Sequence, residues 1–476
     1  MDVQRKFTIK RNTLKKVIKT SKSSNFDETS SSIAGKTFVE EFRINIITSS
    51  QVDTTNASRL YSPIDAEGIS GKTRKRRHAT KNLTLKSAPP IPTAPKDPHI
   101  RRRNWLLSQA KSHIKLVDIP LIVFSVLLSL CGLIAVLSST KTFETSKFVF
   151  IQGVAICLGL FVALIMSVID YRSLAPKYRY IIGINVALLL MTFILGSGVT
   201  GETNANWIDL GFIKIQPSEF AKLLFIYSFA VHLAQVRDRM HKFSTIISLG
   251  IHAGLIFGLV LLQKDLGSLT IFFTIFICMC FAAGISVWYY IAGSAAIVCV
   301  SPFIWSHLNE YQKTRIMLCF DSSIDPDGLN FRYQQLQSQK AIGNGGLFGT
   351  GIFEGTITQS EHLPAKHTDM IYSTICEEFG LIGAIIILAI TLMVIYRCLK
   401  IALYCGNTTG RYICVGVSSM LMIQVVENVG MCLGTMPVIG ITYPFLSYGG
   451  SSVLSCFLAI GMVLSVSTHY ENKFFK

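Results

Sequence analysis

A polar stretch at residues 361–369 holds the side chains best suited to acid–base chemistry. It contains Lys366 and His367 and ends on Asp369, immediately before a long apolar run. A carboxylate at the mouth of an apolar segment can act as a general base, because part of its surroundings is non-polar. The same position also suits an aspartate that caps the following helix. The histidines and acids of this stretch match no standard metal-ligand spacing, so no metal site is predicted.

A charged pair interrupts another apolar run. Glu219 and Lys222 are three residues apart and therefore share one face of a helix. An ionised side chain at mid-membrane costs roughly 2.5 to 3.5 kcal/mol on insertion scales, so such groups usually pair and face the protein interior or a wet cavity. The spacing predicts an inward-facing ion pair, which could be either structural or functional.

Other candidate site residues lie in or beside the segments that separate the apolar runs. They are Trp207, Asp265, Gln337, Ser338, Glu378, Asn428, Ser447 and Gly449. The glycines at 341–349 permit close approach of the backbone to a ligand, but tight turns without a ligand explain them equally well. Irregular backbone near the membrane is tolerated only where it is buried in protein or lines a cavity. We therefore expect four polar segments to converge on one cavity.

Membrane-spanning helices must position these residues. The chain has 476 residues, 50% of them hydrophobic and only 15% charged, which does not suit a water-soluble globule. A helix needs about 20 mainly apolar residues to cross the hydrocarbon core. Ten runs qualify, at 116–139, 148–169, 180–198, 217–236, 243–262, 268–284, 287–305, 371–396, 411–432 and 453–469.

Lysine and arginine in the short connectors predict the orientation, since cytoplasmic loops carry an excess of both. With the N-terminus inside, the internal connectors hold nine Lys and Arg and the short external connectors hold four. Both termini are then cytoplasmic, and the segments 199–216, 263–267, 306–370 and 433–452 are external. The sequence thus predicts an all-α polytopic membrane protein. Its long outer loop, 306–370, joins helices seven and eight.

The first 112 residues differ in composition from the membrane domain predicted at 113–476. Residues 1–111 hold 23 Lys and Arg against 9 Asp and Glu, including a basic run at 72–77. A basic arm could bind nucleic acid, but no nucleic-acid-binding fold accompanies it, so no such partner is predicted. The composition favours a disordered cytoplasmic extension near anionic lipid headgroups.

Taken in chain order, these motifs closely resemble those of the SEDS family (shape, elongation, division and sporulation). The resemblance spans roughly residues 116–470. The matching stretches are 207–211, 216–222, 263–267, 337–343, 367–378 and 428–452. Within them, 428–431 looks more like the RodA branch of the family than the FtsW branch, as does the loop at 354–359.

The resemblance implies a ten-helix peptidoglycan glycosyltransferase that polymerises lipid II on the outer face of the cytoplasmic (inner) membrane, for cell elongation and shape if RodA-like. Lipid II is the undecaprenyl-pyrophosphate-linked disaccharide pentapeptide. Asp369 matches the essential loop acid and would be the base of an inverting transfer. Trp207, Glu219 and Lys222 match other important family positions, and the remaining candidates would contact substrate or line its cavity.

The same resemblance implies partners. A class B penicillin-binding protein, which is a transpeptidase, would activate the polymerase, and membrane lipid would surround it. The leaving pyrophosphate needs positive charge, which Lys366, Arg332, Lys340 or a divalent cation (Mg²⁺ or Mn²⁺) could supply. No other cofactor is expected.

The sequence departs from the family pattern near the predicted site. Pro is usual where Lys264 stands, Glu where Ala365 stands and Phe where Met370 stands. These changes leave Asp369 in place but alter its surroundings. The departures at Lys264 and Ala365 favour one alternative, a scaffold that recruits a transpeptidase. A transporter that flips the lipid-linked precursor, which would explain Glu219 and Lys222, and an FtsW-like division polymerase also remain as alternatives.

Overall fold

The computed structural model describes residues 117–141, 146–196, 206–209, 211, 214–318, 321–325, 332–360 and 362–469. The basic extension predicted at 1–112 lies outside the described residues. Within them the chain is mainly helical, with one antiparallel pair of short strands, β1 (Ile208–Asp209) and β2 (Lys214–Ile215).

The apolar runs form helices close to their predicted limits. In chain order the α-helices are α1 (Ile119–Ser139), α2 (Lys147–Val168), α3 (Tyr178–Leu195), α4 (Pro217–Val236), α5 (Phe243–Leu262), α6 (Leu266–Ala283), α7 (Val287–His307), α8 (Glu310–Met317), α9 (Tyr333–Gly345), α10 (Ile371–Tyr404), α11 (Thr408–Leu433) and α12 (Gly450–His469). Nine of them are long and apolar enough to cross a membrane, and α6 is a slightly shorter apolar helix at the predicted sixth span. The prediction of an all-α polytopic membrane protein is confirmed.

A left-handed glycine separates α6 from α7, where the sequence offers only a short uncharged connector. Gly284 has φ +81°, and its N–H donates to the carbonyl oxygens of Cys280 and Phe281. Glycine adopts this conformation without steric cost, which is why it commonly ends helices. Ser286 then begins α7 in an extended conformation. The connector can therefore be very short.

Helices α4, α11 and α12 form the centre of the bundle and bury most of their residues. Small residues bring α12 against α2, because a Cβ on Gly159 would lie 2.8 Å from the ring of Phe457 and one on Gly461 would lie 2.9 Å from Ala163 Cα. Close approach through small residues is typical of helices packed in membranes. Helix α7, by contrast, has no buried residue.

The glycine-rich stretch after α9 packs against a break in α10. Gly380 interrupts α10 with φ +68° and ψ −172°. Four backbone hydrogen bonds of 2.9 to 3.2 Å then join residues 346–351 to residues 377–382. A Cβ on Gly349 would lie 2.1 Å from the carbonyl oxygen of Glu378. Of the two interpretations of these glycines, the structure supports tight backbone packing at this position.

Candidate active site

A cavity of about 1240 Å³ opens at one end of the bundle. That volume exceeds the roughly 300 to 1,000 Å³ of pockets that hold drug-sized ligands. Its lining comes mainly from the start of α2 and from 206–219, 264–271, 309–316, 364–369 and 437–452. Each of the four predicted polar segments contributes, so their convergence on one cavity is confirmed.

Asp369 lines this cavity, and the backbone around it is held in place by donors from two other segments. Asn428 Nδ2 donates to the carbonyl oxygen of Asp369 at 2.8 Å. Ser447 Oγ donates to the carbonyl oxygen of Thr368 at 2.7 Å. The N–H of Tyr448 donates to the carbonyl oxygen of His367 at 2.8 Å. The carbonyl groups of residues 367–369, including that of the acid itself, are therefore fixed.

The alternative role of Asp369 as a helix cap is not the one observed. Helix α10 has Met370 at its N-cap position, one residue after the acid. A Cβ on Gly440 would lie 3.6 Å from Asp369 Oδ2, so the acid lies beside the segment 437–442, which also lines the cavity. Asp369 therefore contributes to the cavity wall.

The segment 443–449 is held in shape by hydrogen bonds within the segment and by hydrogen bonds to helix α2. The N–H of Tyr443 donates to Ser447 Oγ at 2.8 Å. Gln152 on α2 donates to the carbonyl oxygen of Ser447 at 3.0 Å, and its Oε1 accepts from the N–H of Gly449 at 3.2 Å. Ser447 is therefore a buried support behind the lining, whereas Gly449 lies in it.

Glu219 and Lys222 form the predicted ion pair. Lys222 Nζ lies 2.8 Å from Glu219 Oε1, and the two residues are 0% and 6% exposed, respectively. Ser455 Oγ donates to the other carboxylate oxygen at 2.8 Å. Glu219 lines the cavity and Lys222 does not. The pair therefore connects the cavity floor to the centre of the bundle.

Trp207 and Asp265 also line the cavity. Asp265 caps α6, since its Oδ1 accepts from the N–H of Ser268 at 2.9 Å. Its Oδ2 accepts from Ser268 Oγ at 2.7 Å and from Gln216 Nε2 at 3.4 Å. This aspartate consequently fixes the turn after α5 as well as contributing a carboxylate to the wall.

Besides Lys222 and Ser447, four further candidates from the sequence lie outside the cavity lining: Gln337, Ser338, Glu378 and Asn428. Ser338 Oγ lies 2.5 Å from Ser373 Oγ and donates to the carbonyl oxygen of Cys432 at 2.8 Å, which ties α9 to α10 and α11. Glu378 is buried and accepts hydrogen bonds from Ser138 and Gln359. Gln337 is half-buried on α9. Asn428 supports Asp369 from behind.

Lys366 is turned away from the cavity. Its ammonium donates to the carbonyl oxygens of Thr358 at 2.7 Å and Ser360 at 3.0 Å, and the residue is buried. Neither Arg332 nor Lys340 lines the cavity either. The cationic side chains that do line it are Lys147, Lys214, Lys264 and Arg315.

Lys264 and Arg315 belong to two walls of the cavity that helix α8 joins. Lys264 has φ +57°, which a proline could not adopt because its ring fixes φ near −65°. Arg315 on α8 donates to the carbonyl oxygen of Val438 at 2.7 Å. On the same helix, Gln312 Nε2 lies 3.5 Å from the carbonyl oxygen of Lys264. Helix α8 thus connects two walls of the cavity.

Sequence reasoning did not identify Phe148 or Tyr448 as site residues. Both line the cavity, and both contact the ring of His367. Burial, with a smaller contribution from the adjacent Lys366, lowers the pKa of His367 to about 4, so its imidazole is neutral at pH 7. One feature of the sequence could have indicated Phe148: it directly follows Lys147, the first residue of α2, and so lies at one end of a predicted span.

Fold and site define a class: a polytopic membrane protein with a polar, carboxylate-bearing cavity at one end of its helical bundle. The model of the FtsW/RodA/SpoVE family, described as cell cycle proteins, matches residues 118–472. The chain belongs to this family, and the SEDS resemblance is confirmed.

Named relatives support the same assignment. The peptidoglycan glycosyltransferase MrdB of Escherichia coli K12 is 35% identical over 322 residues, which cover 66% of this chain and 84% of that protein. A probable peptidoglycan glycosyltransferase FtsW of Geobacter metallireducens is 33% identical over 367 residues, which cover 75% and 96%. MrdB represents the RodA branch. Relatives from the RodA and FtsW branches are thus similar to this chain to nearly the same degree.

Two solved structures share the fold. The crystal structure of the rod shape determining protein RodA of Thermus thermophilus has a TM-score of 0.56 and 25% identity, covering 75% of this chain and 98% of that one. A chain of a peptidoglycan synthase complex, described as coordinating polymerization and crosslinking, has a TM-score of 0.62 and 27% identity. It covers 74% of this chain and 97% of that one.

Proposed function

We propose that this chain is an inverting peptidoglycan glycosyltransferase that polymerises lipid II. The observation that carries the proposal is the placement of Asp369 in the wall of a large cavity lined by both polar and apolar groups, with its backbone held by Asn428. A base must be held in place to remove a proton efficiently from a sugar hydroxyl. The peptidoglycan glycosyltransferases among its relatives support the choice of substrate.

In the proposed reaction Asp369 removes the proton from the acceptor 4-hydroxyl. The resulting oxygen attacks the anomeric carbon of the donor sugar, and the bond from that carbon to the polyprenyl pyrophosphate breaks. Attack from the opposite face inverts the configuration and forms a β-1,4 link. The departing pyrophosphate is negatively charged, and Lys147, Lys264 and Arg315 in the lining are placed to stabilise it.

The proposal includes an orientation and a cellular role. The cavity would face the outside of the cytoplasmic membrane and both termini the cytoplasm, as the distribution of Lys and Arg in the connectors predicts. The RodA-like stretches at 354–359 and 428–431 favour a role in elongation and cell shape rather than in division.

A class B penicillin-binding protein is the proposed partner. A synthase complex that coordinates polymerization with crosslinking has the same fold in one of its chains. Coupling the two activities would place each new glycan strand directly before a transpeptidase.

The test uses purified protein in liposomes with lipid II added from outside, alone and with the transpeptidase. We expect Asp369→Asn to lower polymer formation by about 10² to 10⁴-fold, the usual contribution of a general base. Glu354→Gln, an exposed acid of the same loop that does not line the cavity, is the matched control. Polymer at the wild-type rate from Asp369→Asn would remove the acid from this role. Lipid movement without polymer would favour transport, and chelation with EDTA tests for a divalent cation.

A further inference from the structure

Three aromatic side chains form a continuous surface in the cavity lining. Phe148 is the second residue of α2, His367 precedes Asp369 by two residues, and Tyr448 precedes α12 by two residues. The ring centroids are 5.2 Å apart for Phe148 and His367, 5.1 Å for Phe148 and Tyr448, and 5.7 Å for His367 and Tyr448. Phe148 packs edge-to-face on His367 and on Tyr448, at 61° and 75°, a geometry that aromatic pairs prefer, whereas the rings of His367 and Tyr448 are tilted by 52°. We name this surface the aromatic wall.

The aromatic wall is fixed close to Asp369. The N–H of Tyr448 donates to the carbonyl oxygen of His367 at 2.8 Å, which joins two of the three residues through the backbone. Two residues of extended chain span at most about 7 Å, so the Cα atoms of His367 and Asp369 are no further apart than that. A ligand of that width lying on the wall would place its substituents beside the carboxylate.

The wall is uncharged at neutral pH. Burial is the main reason that the pKa of His367 falls to about 4, and burial raises the pKa of the Tyr448 hydroxyl. All three rings are half-buried, so each has both packed and open surface. The wall therefore offers neutral ring faces inside a cavity whose other side chains are largely polar or charged.

This combination suits a sugar ring. A β-linked pyranose has axial C–H bonds on its flat sides and hydroxyl groups around its edge. The partly positive C–H groups are attracted by the negative face of an aromatic ring. The edge hydroxyl groups then meet polar neighbours, among them Lys147 and Asp369, which line the same cavity.

We propose that Phe148, His367 and Tyr448 form a sugar-binding subsite that holds one pyranose ring of the substrate against the cavity wall. The identity of that sugar rests on the proposed glycosyl transfer, but the ability of the wall to bind a pyranose does not. The subsite places the reacting sugar next to its base.

The experiment measures binding without catalysis. The full chain is placed in lipid nanodiscs, and N,N′-diacetylchitobiose is the soluble probe in saturation-transfer NMR and titration. We expect transfer to the axial ring protons of one sugar and three- to tenfold weaker binding for Phe148→Leu and for Tyr448→Leu, the range expected for losing one aromatic contact. Tyr448→Phe keeps the ring and should bind like wild type.

Phe150→Leu is the matched control, because Phe150 is 72% exposed on the same helix and lies outside the cavity lining. Equal binding by Phe148→Leu and Phe150→Leu, or no transfer from the wild-type protein, would overturn the subsite. Because the binding assay contains no lipid II, it tests the sugar-binding subsite independently of the proposed glycosyltransferase activity. Probe binding without polymerisation would contradict the glycosyltransferase alone, and Asp369-dependent polymerisation without wall-dependent binding would contradict the subsite alone.

Discussion

Asn428 Nδ2 lies 2.8 Å from the carbonyl oxygen of Asp369 and 2.7 Å from that of Ile441. One amide group on α11 therefore holds together two adjacent segments that both contribute to the cavity lining. Asn428 itself is 0% exposed and does not reach the lining. Its contribution to the site is the position of the acid.

Replacing Asn428 by Leu should therefore impair both folding and activity. Two buried carbonyl groups would lose their donor, and each unsatisfied group costs about 1 to 3 kcal/mol. We expect a loss of roughly 2 to 6 kcal/mol in the free energy of unfolding and a clear fall in kcat for lipid II polymerisation. Ser418→Ala on the same helix is the control, since Ser418 donates only within α11. Asn428→Leu protein that matches this control in both assays would contradict the positioning role.

Two glycines of α9 should respond in opposite ways to substitution by alanine. A Cβ on Gly345 would lie 1.9 Å from the carbonyl oxygen of Cys376, whereas a Cβ on Gly343 meets no atom within 4 Å. Gly345→Ala should separate α9 from α10 and sharply lower the unfolding temperature in nanodiscs. Gly343→Ala should be neutral, or should raise stability by up to about 1 kcal/mol through helix propensity. Similar melting of the two variants would contradict the packing of α9 on α10.

The buried pair of Glu219 and Lys222 should be more costly to break than to remove. Lys222→Met leaves an unpaired buried carboxylate, a change that typically costs about 3 to 5 kcal/mol. The double variant Glu219→Gln, Lys222→Met removes both charges and should recover part of that stability. Thermal unfolding of the two single variants and the double variant gives the coupling between them. Additive losses would mean that the two charges do not depend on each other.

The ion pair could be predicted from sequence for a simple reason. A charge inside an apolar run needs a partner, and Lys222 is the nearest cation on the same helix face as Glu219. Asp369 stands where a polar loop meets an apolar helix, a position that suits a helix cap as well as a base. The local pattern located this acid, but its proposed role as a base came from the resemblance to the SEDS family.

The side-chain positions of Lys366 and Phe148 could not be predicted from neighbours along the chain. The ammonium of Lys366 folds back onto Thr358 and Ser360, and nothing in the local pattern distinguishes that from a position in the cavity. Phe148 is the second residue of an apolar helix, where aromatic residues usually face lipid or pack in the core. Its place in the wall depends on Tyr448, which is 300 residues away in the sequence and is brought close only by the packing of α2 on α12.

Lys264 offers a way to separate stability from substrate binding. Its φ of +57° suits glycine better than a residue with a Cβ, so Lys264→Gly should raise stability by up to about 1 kcal/mol. The same change removes a cation from the cavity lining. We expect KM for lipid II to rise several-fold while the unfolding temperature stays equal or increases. Lys264→Arg, which keeps the charge, is the control. A Lys264→Gly protein with unchanged KM would exclude the ammonium from substrate binding.

His367 should make the stability of the protein depend on pH in a defined window. Its pKa is lowered to about 4 in the folded chain, chiefly by burial, and lies near 6.5 in an unfolded chain. Below pH 6.5 the unfolded chain binds a proton that the folded chain does not. The stabilising contribution is therefore complete above pH 6.5 and is lost as the pH falls from 6.5 towards 4.

The measurement compares wild type with His367→Phe, which keeps an aromatic ring but cannot take up a proton. Unfolding temperatures in nanodiscs are recorded between pH 4 and pH 8. The difference between the two proteins should be constant above pH 6.5 and should shift in favour of the variant at lower pH. A constant difference across the whole range would mean that the imidazole titrates alike in the folded and unfolded chains. In that case His367 would not be the neutral member that the aromatic wall requires.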